Sequence, residues 1–149
     1  MRMATAAGLD APAIWKTGSA CVGHGAVVTI PINAGVALSA AVNDLKAAIF
    51  WYDRNQASGS PVDDLDLELH TVGGSTSLRS SAGQWDNKER VYHSAIGGNA
   101  VELRISGFSV ATDVEGYGTN SQWVYWAYFY EDDARDDPEG PTLAAIDRE

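Results

Sequence analysis

One cysteine, Cys21, is all the thiol this chain has. That excludes an internal disulfide, so stability has to come from packing or a bound ion rather than from cross-links. No apolar run approaches the roughly 20 residues of a membrane-spanning helix. No charged segment followed by an apolar stretch opens the chain as in a signal peptide. Cationic residues are scarce as well, ten Lys and Arg against 20 Asp and Glu, for a formal charge of −10. Phosphate backbones are gripped by clustered Lys and Arg. Without such a cluster, nucleic acid is excluded as an expected partner, and cations are the more natural ones.

What is present reads as one all-β domain. The 149 residues are enough for a single core, and the apolar runs are short and rich in Val, Ile, Tyr and Trp, which favours strands. Residues 26–131 are expected to form the β-sandwich, with 1–25 an N-terminal segment or linker. The last stretch, 132–149, mixes carboxylates, Pro and Gly without periodicity and reads as an acidic tail or linker. The chain is therefore either cytoplasmic or a piece of a longer secreted one.

Along the chain, GAVVTIPI (25–32) predicts a strand at an edge or ending at Pro31. DLKAAIFWYD (44–53) is a longer apolar run, expected to be a central strand covered on both faces. LDLELHT places Leu65, Leu67 and Leu69 on one face and Asp64, Asp66, Glu68 and His70 on the other. The Gly73-Gly74 pair predicts a hairpin into TSLRS. ERVYHSA and AVELRISGF flank a turn at Gly97-Gly98-Asn99, and QWVYWAYFYE (122–131) closes the set. Seven to eight strands at this spacing predict a jelly-roll β-sandwich of two antiparallel sheets.

The order of these segments resembles the C-terminal β-sandwich of secreted subtilisin-like serine proteases, of the P-domain or pre-peptidase C-terminal kind. The residues that carry it are LKAAIFWYD at 45–53, DDLDL at 63–67, Asp86-Asn87 with Glu89 and Val91 after them, and VELRISGFSV at 101–110. The likeness spans residues 26–130. Asp63 stands where the family more often has Asn, and the aromatic strand at 122–130 is heavier than usual. The resemblance implies a secreted, non-catalytic accessory domain, often calcium-binding, that stabilises or orients a peptidase domain in the same chain.

The residues themselves leave two readings of the aspartates. Asp64 and Asp66, two apart on a strand, hold like charges about 7 Å apart on one face, which raises both proton affinities unless a cation or donor intervenes. Calcium, with its six to eight oxygen ligands, suits such a face. Asp53, Asp63 and Asp86 or Asn87 are the candidates for further ligands. The alternative is a solvated face screened by Arg79, Arg90 or Arg104. No EF-hand spacing is present.

Catalysis finds no footing. His24 lies in VGHGAV without the neighbouring motifs of a serine-protease triad, and GGSTS at 73–77 is no nucleophile elbow. His24, His70 and His93 show no zinc spacing. The aromatics give the main rival to the calcium module, a carbohydrate-binding module with Trp85, Trp123 and Tyr125 as its platform and polysaccharide as partner. In 122–130 both alternating sets are bulky, so one is expected in the core and the other against a neighbour. A cell-surface adhesion or structural module is the third expectation.

Overall fold

The computed structural model describes residues 13–52, 63–84, 86–112 and 120–132. Among them are eight strands: β1 (Ala13–Gly23), β2 (Val27–Pro31), β3 (Val42–Trp51), β4 (Asp64–Thr71), β5 (Ser77–Ser81), β6 (Lys88–Ser94), β7 (Val101–Ser109) and β8 (Ser121–Asp132). Strands mirrored in chain order pair antiparallel: β1 with β8, β2 with β7, β3 with β6 and β4 with β5. Ladders β3–β8 and β4–β7 join these ribbons into two sheets, ordered β1-β8-β3-β6 and β2-β7-β4-β5. This is the jelly-roll sandwich that the strand spacing predicts.

Alternation makes the core. In β4 the three leucines 65, 67 and 69 are fully buried while Asp64, Asp66 and Glu68 keep partial exposure. Val101, Leu103 and Ile105 of β7 and Leu45, Ile49 and Trp51 of β3 meet them from the same and the opposite sheet. Burying each such side chain stabilises the fold by about 1.5–3 kcal/mol relative to leaving it in water. Val124, Tyr128 and Tyr130 supply the inner face of β8, so the even-numbered set is the one in the core. Pro31 ends β2, an edge strand, where its missing N–H costs no ladder bond. The expected turns fall at Gly73, in the β4–β5 hairpin, and at Gly98, whose φ of 78° is left-handed.

Two expectations need correction. Strand β3 is central in its sheet, yet only one face is covered: Val42, Leu45, Ala47, Ile49 and Trp51 point inward, and Lys46, Ala48 and Phe50 are exposed. A two-layer sandwich buries one face of each sheet and leaves the other to solvent. Residues 13–23, expected in a segment or linker, form β1 and pair along their whole length with β8. Their apolar alternation is weak because the partner fills their share of the core. A Cβ at Gly18 would fall 2.3 Å from the ring of Trp126, which occupies the volume that a β1 side chain would otherwise take.

Candidate functional site

The expected ligand residues divide into two groups. The first meets at the end of the sandwich where β3 stops and β4 and β8 begin. Asp63, 1% exposed, accepts hydrogen bonds at Oδ1 from the amides of Ala111 (2.7 Å) and Thr112 (3.2 Å) and at Oδ2 from Gln122 Nε2 (2.9 Å). Its carbonyl accepts from the buried Trp51 indole at 3.1 Å. Asn87 closes the other side: its amide donates to the Trp51 carbonyl at 3.0 Å, and its carbonyl accepts from the Trp51 amide at 3.1 Å. Gln122 Nε2 also donates to the Tyr52 carbonyl at 3.1 Å, while its Oε1 takes the Trp123 amide at 2.8 Å. Both Asp63 carboxylate oxygens thus have protein donors, while the Asn87 side chain is engaged through its Nδ2. Asp86 is exposed beside Asn87, and Asp53 and Trp85 lie outside the described residues.

The second group faces outward from β4. Asp64 sits where β7 carries a bulge, since one step from Asp64 to Leu65 matches two from Ser109 to Gly107. Its Oδ1 is buried without a hydrogen-bond partner. Burial, and then Glu89, raise the proton affinity of Asp64. For Asp66 burial again acts first, followed by Asp64, Glu89 and Glu68. Glu89, buried on β6, accepts from Ser81 Oγ and from the Gly83 amide at 2.8 Å, which ties the β5 edge to β6. The sequence singled out the pair on β4 but not this third carboxylate, whose approach depends on how the two sheet edges meet. Among the described residues, no three His, Cys, Asp or Glu side chains come close enough together to hold a metal ion. A calcium ion here would have Asp64 and Asp66 as its described carboxylates, and the remaining oxygens would have to come from elsewhere. His24 Nδ1 accepts from the Val110 amide at 3.2 Å, in the turn after β1.

The third region is the outer face of the β1-β8-β3-β6 sheet. Register lines its side chains up in rows that cross all four strands. Trp15, Phe129, Lys46 and Tyr92 form one row, Thr17, Ala127, Ala48 and Arg90 the next, and Ser19, Tyr125, Phe50 and Lys88 the third. In the middle row Thr17, Ala127 and Ala48 make a floor of small residues that Arg90 ends, and aromatic rings stand on both sides. Trp15, Phe50, Tyr92 and Tyr125 are 67%, 48%, 50% and 53% exposed, so the rings are open to solvent. Two adjoining depressions that share Ala48 and Ala127 make one shallow trough. Rows two apart lie four residues apart along each strand, so the aromatic walls are about 13 Å from each other. Trp15 and Phe129 touch with ring centroids 4.5 Å apart, Lys46 lies 6.0 Å from the Tyr92 ring centroid, and the Tyr92 hydroxyl donates to Asp44 at 3.0 Å.

Of the expected platform, Tyr125 stands in a trough wall and Trp123 lies partly buried on the same face of β8, while Trp15, Phe50, Tyr92 and Phe129 were not foreseen as site residues. The signal for Phe50 was present in the alternation of Lys46, Ala48 and Phe50 against Leu45, Ala47, Ile49 and Trp51. The signal for Trp15 was masked by the weak pattern of β1.

No family model matches the chain, and no curated protein sequence matches it. Solved structures similar in fold include the Yersinia pseudotuberculosis-derived mitogen (14% identity, TM-score 0.47, 87% of this chain and 92% of that one). The pre-peptidase C-terminal domain of a Bacillus anthracis collagenase gives 11% identity and a TM-score of 0.44 over 76% of this chain and 87% of its own. Aeromonas hydrophila PliG, a periplasmic inhibitor of g-type lysozyme, gives 6% and 0.43 over 81% and 88%. At these identities the likeness is one of β-sandwich architecture.

Two predictions follow from the acidic groups. Asp63→Ala strands two backbone amides and the Gln122 amide, and is expected to cost about 2–4 kcal/mol in chemical denaturation. The loss should be equal in EGTA and in millimolar calcium, because the carboxylate serves protein donors; a loss seen only with calcium would mark it as a ligand instead. For Asp64 and Asp66 the folded state binds protons more tightly than the unfolded chain, so protonation favours folding. That contribution is complete below the unfolded value of 3.8 and is lost as pH rises through the higher folded values. The Asp64→Asn/Asp66→Asn double variant should therefore be the more stable protein at pH 7. Its advantage should shrink as pH falls toward 4, as read by thermal unfolding across pH.

Proposed function

We propose that this chain is a non-catalytic carbohydrate-binding module of a secreted protein, accessory to a catalytic domain such as a peptidase, and that it holds an extended glycan in the trough. The observation that carries this reading is the pair of exposed aromatic rows flanking the floor of Thr17, Ala48 and Ala127. Flat rings can take the apolar faces of pyranose rings while the Tyr125 hydroxyl can meet sugar hydroxyls. An extended peptide is a poorer match. It docks most readily on an unpaired strand edge, where main-chain hydrogen bonds supply affinity. The trough runs across the strands rather than along one, and over its central part the ladders of β3 and β8 occupy those groups, leaving them open only at its two ends on β1 and β6.

Affinity electrophoresis through gels containing neutral and acidic polysaccharides tests the reading. At least one polymer should retard the chain, and Phe50→Ala/Tyr125→Ala should weaken that binding at least about tenfold with an unchanged melting temperature. Failure of every polymer to retard the chain would refute a glycan site.

A second reading is favoured by one observation, the buried Asp64 Oδ1 without a partner beside Asp66. Under it, calcium at this face holds the accessory module folded in the extracellular medium. A cation that binds only the folded state adds about 2.7 kcal/mol at a hundredfold excess over Kd. Millimolar calcium should then raise the melting temperature by several degrees over EGTA, and Asp64→Asn/Asp66→Asn should abolish the rise. Equal melting temperatures would leave these carboxylates as a solvated face.

A further inference from the structure

The trough also has a charge. On a chain of formal charge −10, Lys46, Lys88 and Arg90 share its outward rows, one at the β3 position of the first row and two along β6. All three are exposed. Among the described residues, the ion pairs are His70–Glu68 and Arg104–Glu102, both on the other sheet, so these three cations have no carboxylate partner. Arg90 closes the floor row beyond Ala48, and Lys88 stands beyond Phe50. Asp44, at the Lys46 end, receives the Tyr92 hydroxyl, and Glu131 lines the same end. The β6 side of the trough is therefore positive from its floor to the Tyr125–Phe50 wall.

Resting on the carbohydrate reading above, we infer that the occupant is an anionic polysaccharide whose rings bear carboxylates, a uronate polymer. Its rings would lie over Ala127 and Ala48 between the aromatic walls, and its carboxylates would reach the β6 side. There the Arg90 guanidinium offers a planar fork of donors that matches a carboxylate, and Lys88 and Lys46 act as point charges. A neutral glycan would use the rings and leave three unpaired cations idle. An acidic peptide would use the cations and could pair with the β6 edge, but it would leave the aromatic walls without ring partners. A second copy of this chain would bring cations against cations wherever the two β6 rows met.

The test uses polygalacturonate, alginate and hyaluronate, each beside its carboxyl-reduced counterpart, in the same electrophoretic assay. At least one uronate polymer should retard the chain, with its reduced form retarding it less. Binding should weaken as salt rises, and Lys88→Gln/Arg90→Gln should raise Kd at least about tenfold without changing the circular dichroism spectrum. Equal retardation by native and reduced polymers would overturn the anionic ligand while leaving a glycan site standing. Retardation by no polymer, with sedimentation showing self-association that Phe50→Ala/Tyr125→Ala abolishes, would overturn both and make the face a self-interface.

Discussion

The fold turns on one buried carboxylate. Taking Asp63 out of water is unfavourable unless its oxygens find donors, and the donors it finds lie on separate segments of the chain: the residues after β7 and the start of β8. Its carbonyl and the Asn87 side chain fix Trp51, the largest fully buried side chain of the core. The start of β4, the residues after β7 and the start of β8 must converge before the carboxylate is satisfied, and Trp51 and Asn87 join the same cluster through backbone carbonyls. Such a requirement selects against slipped registers, because a one-residue shift of β4 or β8 would turn Asp63 or Gln122 away and reverse the buried face of the strand.

With that end braced, the two sheets can differ in what they show to solvent. Strand β4 concentrates carboxylates on the outer face of one sheet, where Glu89 reaches them from the neighbouring edge. The other sheet carries rings and cations. On the first sheet Arg104 and His70 pair with Glu102 and Glu68, and on the second Asp44 and Glu131 stand near Lys46, so each face keeps a local excess rather than a single sign. That leaves Asp64 and Asp66 with raised proton affinity on one sheet and an aromatic surface with exposed Lys88 and Arg90 on the other.

Much of this was legible in the sequence, and the part that was not has a physical cause. Leu65, Leu67 and Leu69 announce a strand by alternation alone, and seven short runs with turn residues between them announce a sandwich. DDLDL and Asp86-Asn87 drew attention as ligands because acidic and amide side chains look alike whether they hold an ion or brace a backbone. The choice depends on Ala111, Thr112 and Gln122, whose approach to Asp63 is a long-range fact. Strand β1 escaped because Gly18 yields its volume to Trp126, so a contact across strands erased the local pattern. Phe50 escaped because a run of apolar residues was taken as burial on both sides, whereas its alternate members serve the core and the trough separately.

The open aromatic face itself argues for a ligand rather than for an accident of composition. Soluble monomers rarely leave contiguous apolar patches larger than a few hundred Å² uncovered, and Trp15, Phe50, Tyr92 and Tyr125 are arranged in rows rather than scattered. A flat apolar surface meant for permanent packing would gain most from large side chains throughout. Here the middle row is Thr17, Ala127 and Ala48, which opens a channel between the walls at the expense of buried area. The net charge of −10 adds long-range repulsion between copies, while the local cations would favour an anionic chain along the same path. A narrow floor, stacking walls and a positive side together define a linear, ring-bearing, negatively charged partner better than they define a protein surface.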